Sequence, residues 1–174
     1  MLVAADDHIL VFDESGQERA RVRSGVGVTA LGLIESVVAA GYADGNVELF
    51  SIDGAAKKPS SMFESVPSSP VTRLAAGPRD SLVIGYANGV VGLWSLHDGT
   101  RLAHMRLHGS ISHLLLENHE LHIASTLGRH FSWDLSPFYA DRCALLEQVW
   151  EEVPVVWQNG RAVETRPPAD HPCR

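Results

Sequence analysis

The sequence predicts an all-β domain built from a repeated unit of roughly 40 residues, with a short helical segment after it, and three observations carry that expectation. The segment Gly41-Tyr42-Ala43-Asp44-Gly45-Asn46-Val47-Glu48-Leu49-Phe50-Ser51-Ile52 returns 44 positions later as Gly85-Tyr86-Ala87-Asn88-Gly89-Val90-Val91-Gly92-Leu93-Trp94-Ser95-Leu96. The aromatics that end each copy, Phe12, Phe50, Trp94 and Trp133, step by 38, 44 and 39 residues. A second mark, Val28-Thr29-Ala30-Leu31, Val71-Thr72-Arg73-Leu74 and Ile111-Ser112-His113-Leu114, steps by 43 and 40. Two independent marks that keep one period define a repeat.

Within the best-defined copy, strands are expected at 28–34, 36–41 and 46–52, with Asp44-Gly45 as the turn between the last two, and Asn88-Gly89 repeats that hairpin signal. Asp6 and Asp44 read as turn residues whose carboxylates bond local backbone. The first two strands of a unit are dominated by apolar residues, as strands covered on both faces are. The fourth is polar and alternating, at 17–23 and 100–107, which suits an outer rim. Counting units gives three, four, four and three strands, because the first copy opens on its second strand and the last stops at Asp134.

Beyond Asp134, Ser136-Pro137 reads as a helix start, since serine caps and proline fits the first turn. Positions 138–150 then place Leu145, Leu146, Val149 and Trp150 on one face. A hairpin is expected from 153–157, Asn159-Gly160 and 161–165, and the proline-rich run 166–174 reads as an extended strap. The organisation is thus residues 1–134 as the repeat domain and 135–174 as helix, hairpin and tail.

Units of this length, with an Asp-Gly turn leading into a strand that ends in an aromatic, resemble WD repeats, each of which forms one blade of a β-propeller. The resemblance covers residues 1–134. Trp133-Asp134 and the turn residue Asp44 match the family motif, and His108-Gly109 falls where the family places its histidine. Phe12 and Phe50 stand in place of tryptophan, Leu127-Gly128 replaces the last Asp-Gly, and no copy holds a full His-Ser-Asp-Trp network. Read as blades, the fourteen strands counted in the repeats and two more from the tail make sixteen, about four blades of four, defined by Asp6, Phe12, Asp44, Phe50, Asn88, Trp94, Trp133 and Asp134. The resemblance implies a non-catalytic interaction platform, or a subunit that completes the propeller of a larger enzyme, signalling or defence assembly. Because rings of this family usually have about seven blades, assembly is expected, first with a second copy and otherwise with another protein, and the 153–165 hairpin is expected to help close the ring.

Composition narrows the function classes. The chain is 45% apolar and 20% charged with a net charge of −7, which disfavours nonspecific binding to nucleic acid or anionic lipid, since both require clustered cations. No apolar stretch reaches the roughly 18 residues of a membrane-spanning helix and no signal-peptide pattern opens the chain, so a cytoplasmic protein is expected. The two cysteines, Cys143 and Cys173, read first as free thiols in a reducing compartment and second as a bridge tying down the tail.

Seven of the nine histidines lie between His97 and His130, which raises the question of a metal site. His104, His108, His113, His119, His122 and His130 are expected on different strands, loops and faces, without HExxH or a nearby cysteine, so neither a metal nor a cofactor is expected. Hydrolase, P-loop and dinucleotide signatures are absent, and adjacent pairs such as Asp6-Asp7 and Glu151-Glu152 point to opposite faces of a strand, so no catalytic residue is assigned. Arg19, Arg21 and Arg23 alternate along one strand and share a face, either as a charge-protected edge or as a stripe for an acidic partner. Trp150 and Trp157, outside the blades, read as anchors for the tail or for a partner.

Overall fold

The computed structural model describes residues 1–25, 27–52, 63, 67–164 and 173. Its blade strands arise where β-branched and aromatic residues alternate or run together between turn formers. The recurrent connection is a three-residue loop with glycine last. In Ala43-Asp44-Gly45 the Gly45 N–H donates to Tyr42 O at 3.1 Å, and in Ala87-Asn88-Gly89 the Gly89 N–H donates to Tyr86 O at 3.1 Å. Gly45 and Gly89 hold φ of 94° and 84°, which side chains resist. Asp44 Oδ1 accepts from Asn46 N at 3.0 Å, and Asn88 Oδ1 from Val90 N at 3.1 Å, the local bonding that favours Asx residues in turns.

Residues Met1–Asp134 form one compact unit of four antiparallel sheets. The first holds β1 (Leu2–Ala5), β2 (His8–Phe12) and β3 (Glu18–Arg23), and the second holds β4 (Val28–Ile34), β5 (Val37–Tyr42) and β6 (Val47–Ser51). The third has four strands, β7 (Val71–Ala76), β8 (Ser81–Tyr86), β9 (Val90–Ser95) and β10 (Arg101–Arg106). The fourth contains β11 (Ile111–Glu117), β12 (Glu120–Ser125) and β13 (His130–Asp134). The fourth strand expected of the second unit lies outside the described residues.

This is a four-bladed β-propeller architecture. The inner strands β4, β7 and β11 neighbour one another in that order, and β1, the counterpart of β5 and β8, neighbours β4. Blades stack through apolar faces: Ile9 and Val11 of the first meet Val38, Ala40, Tyr42 and Phe50 of the second. Ala39, Val47 and Leu49 of the second meet Leu82, Ile84, Tyr86 and Trp94 of the third. The register is conserved from blade to blade, since Phe50 pairs with Val38, Trp94 with Leu82 and Trp133 with Leu121. Phe12 exchanges both backbone bonds with Met1, at 2.8 and 2.9 Å, in the same manner.

The four aromatics therefore occupy equivalent positions, but unequally. Trp94 is fully buried and Phe50 nearly so, whereas Phe12 and Trp133, in the two end blades, are half-buried.

Residues Leu135–Arg174 form the second unit. Here the expected helix start is corrected. Ser136-Pro137 opens a 3-10 turn over Ser136–Phe138, and helix α1 spans Arg142–Glu152. Its cap is Asp141, whose Oδ1 accepts from Cys143 N at 2.8 Å and Ala144 N at 3.1 Å. The Asp141 carboxylate satisfies two orphan N–H groups of the helix, whereas no side-chain cap bond starts the Ser136–Phe138 turn. No helix residue is fully buried, so the Leu145, Leu146, Val149 and Trp150 face is only partly covered. Strands β14 (Val155–Gln158) and β15 (Arg161–Glu164) form a two-stranded sheet of their own. The expectation of this hairpin as a further strand pair of the blades is thus not met among the described residues. Cys143 and Cys173 are joined by a disulfide with a Cα–Cα distance of 4.8 Å, which overturns the first reading of two free thiols. Except for Cys173, the 166–174 run lies outside the described residues.

Candidate functional site

Three parts of the blade unit carry features beyond the repeat. The first is the pair of strand-end surfaces. One pocket is lined by Ile34, Glu35, Val37, Arg79, Asp80, Leu96 and His97, where the first turns of the second and third blades meet. Another, at the opposite ends of the strands, is lined by Asn88, Arg106, Leu107, His108 and Gly109, with Arg106 Nε donating to Asn88 O at 3.2 Å. A Cβ on Gly45 or Gly89 would collide with the carbonyl oxygen of Pro67 or Leu107 respectively. The inter-blade connections thus lie directly on the turns.

The second part is the arginine stripe. Arg19, Arg21 and Arg23 are all exposed on β3, as their alternation requires. Each faces a carboxylate: Arg19 Nε lies 3.0 Å from Asp13, Arg21 binds both oxygens of Glu18 at 3.0 Å, and Arg23 Nε lies 3.3 Å from Asp7. Asp13 also accepts from the Ser15 hydroxyl and from the backbone of Ser15 and Gln17, and these bonds hold its carboxyl below the usual aspartate value. Local acids screen the stripe, which the sequence pattern alone does not reveal.

The third part is the outward face of the fourth blade, and here the histidine expectation is corrected. Register pairs Ala124 with His113 on one side and with His130 on the other, and pairs His122 with Ser132. His113, His122 and His130 therefore share one face rather than scattering. The His122 and His130 rings stack with centroids 5.8 Å apart, and His122 Nδ1 lies 2.9 Å from Ser132 Oγ. Among the described residues no group of three ligating side chains converges well enough for a metal ion. His104, His108 and His119 lie elsewhere, on β10, in the link before β11 and in the β11–β12 turn.

The repeat lags make the meaning of that face legible. The corresponding positions are Leu2, Ile9 and Val11 in the first blade, Ala39, Val47 and Leu49 in the second, and Val83, Val91 and Leu93 in the third. Those of the second and third are buried, as are Ile9 and Val11. In the fourth blade the same positions hold His122, His130 and Ser132, all at least partly exposed. Burying imidazole and hydroxyl against an apolar sheet without partners is unfavourable, so this is the polar end of the stack.

The opposite end is apolar. Met1 is 74% exposed although its register equivalents Val38, Leu82 and Leu121 are fully buried. Of the remaining expected contact residues, Trp157 on β14 is 77% exposed, and Trp150 on α1 is half-buried. Asp6 holds φ of 53° in the two-residue turn between β1 and β2, a turn role. No helix among the described residues is long and apolar enough to cross a membrane.

No family model and no curated protein matches the sequence. Solved structures do. The computationally designed Ika4 protein aligns with a TM-score of 0.62 at 24% identity, over 76% of this chain and 82% of its own. The designed Ika8 protein aligns at 0.59 and 20% identity over 77% of this chain, and BamB from Moraxella catarrhalis at 0.57 and 18% identity over 76%. The chain spans only 45% and 42% of the lengths of those last two structures. These neighbours support the β-propeller fold.

Proposed function

We propose that the chain is a non-catalytic protein-interaction scaffold of WD-repeat-like blades, acting through the turns at its strand ends. The observation that carries this reading is the repeated locking of blade to blade. Turns presented by a rigid frame are where binding residues concentrate. The polar turn side chains also favour scaffolding over chemistry, because Asp13, Asp44, Asn88 and Asp98 are engaged by nearby backbone. A net charge of −7 and locally paired arginines favour a protein partner over a polyanion.

A second reading is an accessory subunit that completes a propeller of a larger assembly. The outward face of the fourth blade favours it, because His122, His130 and Ser132 stand where the second and third blades bury apolar residues against a neighbour, and this polar face favours a different protein over a second copy. A photo-crosslinking residue placed at Glu35, His97 or His108 should trap a defined protein. Trapping confined to His122 and His130 would shift the assignment to the accessory subunit. Failure at all five positions would sink both readings.

A further inference from the structure

Charge in the third and fourth blades is sorted by strand end. No aspartate or glutamate occurs at 81–97, 99–116 or 121–133. The acids of these blades, Asp80, Asp98, Glu117, Glu120 and Asp134, stand in the turns or strand tips of one end, mixed with Arg79 and Arg101. The other end carries Asn88 in the β8–β9 turn, Arg106 at the tip of β10, His108 in the link to β11, Arg129 just before β13 and His130 at its start, all exposed.

These groups are contiguous. Leu107 N donates to Gly89 O at 2.9 Å, which lays the link after β10 beside the Asn88 turn. Thr126 N donates to Ser110 O at 2.8 Å, which brings the turn before Arg129 onto the same link. Arg106 Nε donates to Asn88 O at 3.2 Å, so the main chain orients the guanidinium, and its terminal nitrogens meet no carboxylate among the described residues. Arg19, Arg21 and Arg23, by contrast, each sit on an acid. Asn88, Arg106, Leu107, His108 and Gly109 line a pocket of about 310 Å³, at the small end for ligand sites, which suits one side chain better than a cofactor.

The blade frame does not require these cations. At lags of 40 and 44 the equivalents of Arg106, His108 and Asn88 are Val66, Ser68 and Asp44, so valine becomes arginine, serine becomes histidine and a carboxylate becomes an amide. The backbone contact is the same at both seams, Pro67 O standing against Gly45 as Leu107 O stands against Gly89.

We propose that this end of the third and fourth blades docks an acidic segment of a partner protein, one carboxylate entering the pocket on Arg106 and His108 and another meeting Arg129. The inference rests on the loop-end scaffold reading and names the chemistry of the partner at one of its two ends. Charge complementarity selects the occupant. A guanidinium fork matches a carboxylate, and in a chain of net charge −7 an acid-free cationic surface steers anionic groups to one place. Asp6, Asp7 and Asp44 lie in the turns of the first two blades at this same end. They disfavour a long polyanion, whose affinity grows with each phosphate neutralised.

The test uses the full chain at low salt with a fluorescent peptide Gly-Glu-Asp-Glu-Asp-Glu-Gly, its Gln/Asn counterpart and a single-stranded DNA oligonucleotide. We expect saturable binding of the acidic peptide, absent with the amide peptide and weakened by salt. Arg106→Gln and Arg129→Gln should each weaken it about fivefold, the upper range for an exposed ion pair, at unchanged melting temperature. Arg161→Gln, which alters net charge equally, should leave it as it is. No saturable binding, equal binding of both peptides, or affinity indifferent to Arg106→Gln and Arg129→Gln overturns the proposal. Tighter binding of the oligonucleotide through the same arginines overturns the proposed occupant. Crosslinking from Glu35 and His97, at the opposite strand ends, judges the scaffold reading separately, so a partner trapped there while the acidic peptide fails removes this inference alone.

Discussion

The side chain of Ile111 occupies the space that a Cβ on Gly85 would need, its Cγ2 standing 2.7 Å from that position. Val71 stands over Gly41 in the same way one blade earlier. The glycine on the second strand of one blade and the β-branched residue opening the next form a seam lock. Gly85→Ala should therefore overpack the seam and cost about 1–3 kcal/mol. In urea denaturation, Gly85→Ala combined with Ile111→Ala should lose less than the two changes summed. Strict additivity would show that the residues do not compete for the same space.

Trp94 and Trp133 hold equivalent positions, but only Trp94 is sealed between blades. Its indole lies across Gly92, where a Cβ would overlap the ring, and meets Tyr86 edge-on with centroids 6.1 Å apart. Trp94→Ala should cost about 3–5 kcal/mol, and Trp133→Ala clearly less. Equal shifts in melting temperature would contradict the burial difference.

Tyr42 and Tyr86 are also repeat equivalents with opposite hydrogen bonding. The Tyr42 hydroxyl donates to Glu48 at 2.6 Å and accepts from Gly25 N at 3.1 Å, whereas glycine replaces the glutamate in the next blade, at Gly92. The Tyr86 hydroxyl is buried without a partner among the described residues, and burial pushes its ionisation upward. Tyr42→Phe should destabilise by about 0.5–1.5 kcal/mol, whereas Tyr86→Phe should be neutral or stabilising. Chemical denaturation of both variants checks the sign.

The bridge between Cys143 and Cys173 closes a separation of 30 residues, which constrains the unfolded chain by roughly 3–4 kcal/mol on loop entropy alone. Alkylation of the denatured protein should add two groups only after reduction, and hydrogen exchange over Arg142–Glu152 should then quicken. The same alkylation on protein taken from intact cells tests the cytoplasmic placement, because a persistent bridge belongs to an oxidising compartment. Two thiols reactive without reductant would contradict the bridge.

Much of the blade unit was legible because a lag in sequence becomes a register in space. The steps between Phe12, Phe50, Trp94 and Trp133 locate the third strands, and Val71 and Ile111 mark the inner ones. The helix start was misread because proline fits the first turn of a 3-10 helix as well as that of an α-helix, and only the backbone shows that Asp141 receives the helix N–H groups. The histidine face was missed for another reason. Which of His113, His122 and His130 lie together depends on pairing across three strands, although comparing each with the residue 39 or 40 positions earlier exposes the change from apolar to polar at His122 and His130. The acids beside Arg19, Arg21 and Arg23 come from turns and a neighbouring strand position, which alternation cannot supply.

The central claim is that the repeats fold as blades in one register, each inner strand covering the second strand beside it, and backbone hydrogen exchange resolved by residue tests it most directly. In the isolated chain, Ala39 and Gly41 on β5 should exchange as slowly as the most protected amides, because β4 covers their edge. Val83 and Gly85, their equivalents on β8, should match them because β7 covers their edge, whereas the amides of the exposed β15 should exchange orders of magnitude faster. If Val83 and Gly85 exchange far faster than Ala39 and Gly41, the two segments are not equivalent strands, and the account of blades repeating in one register is wrong.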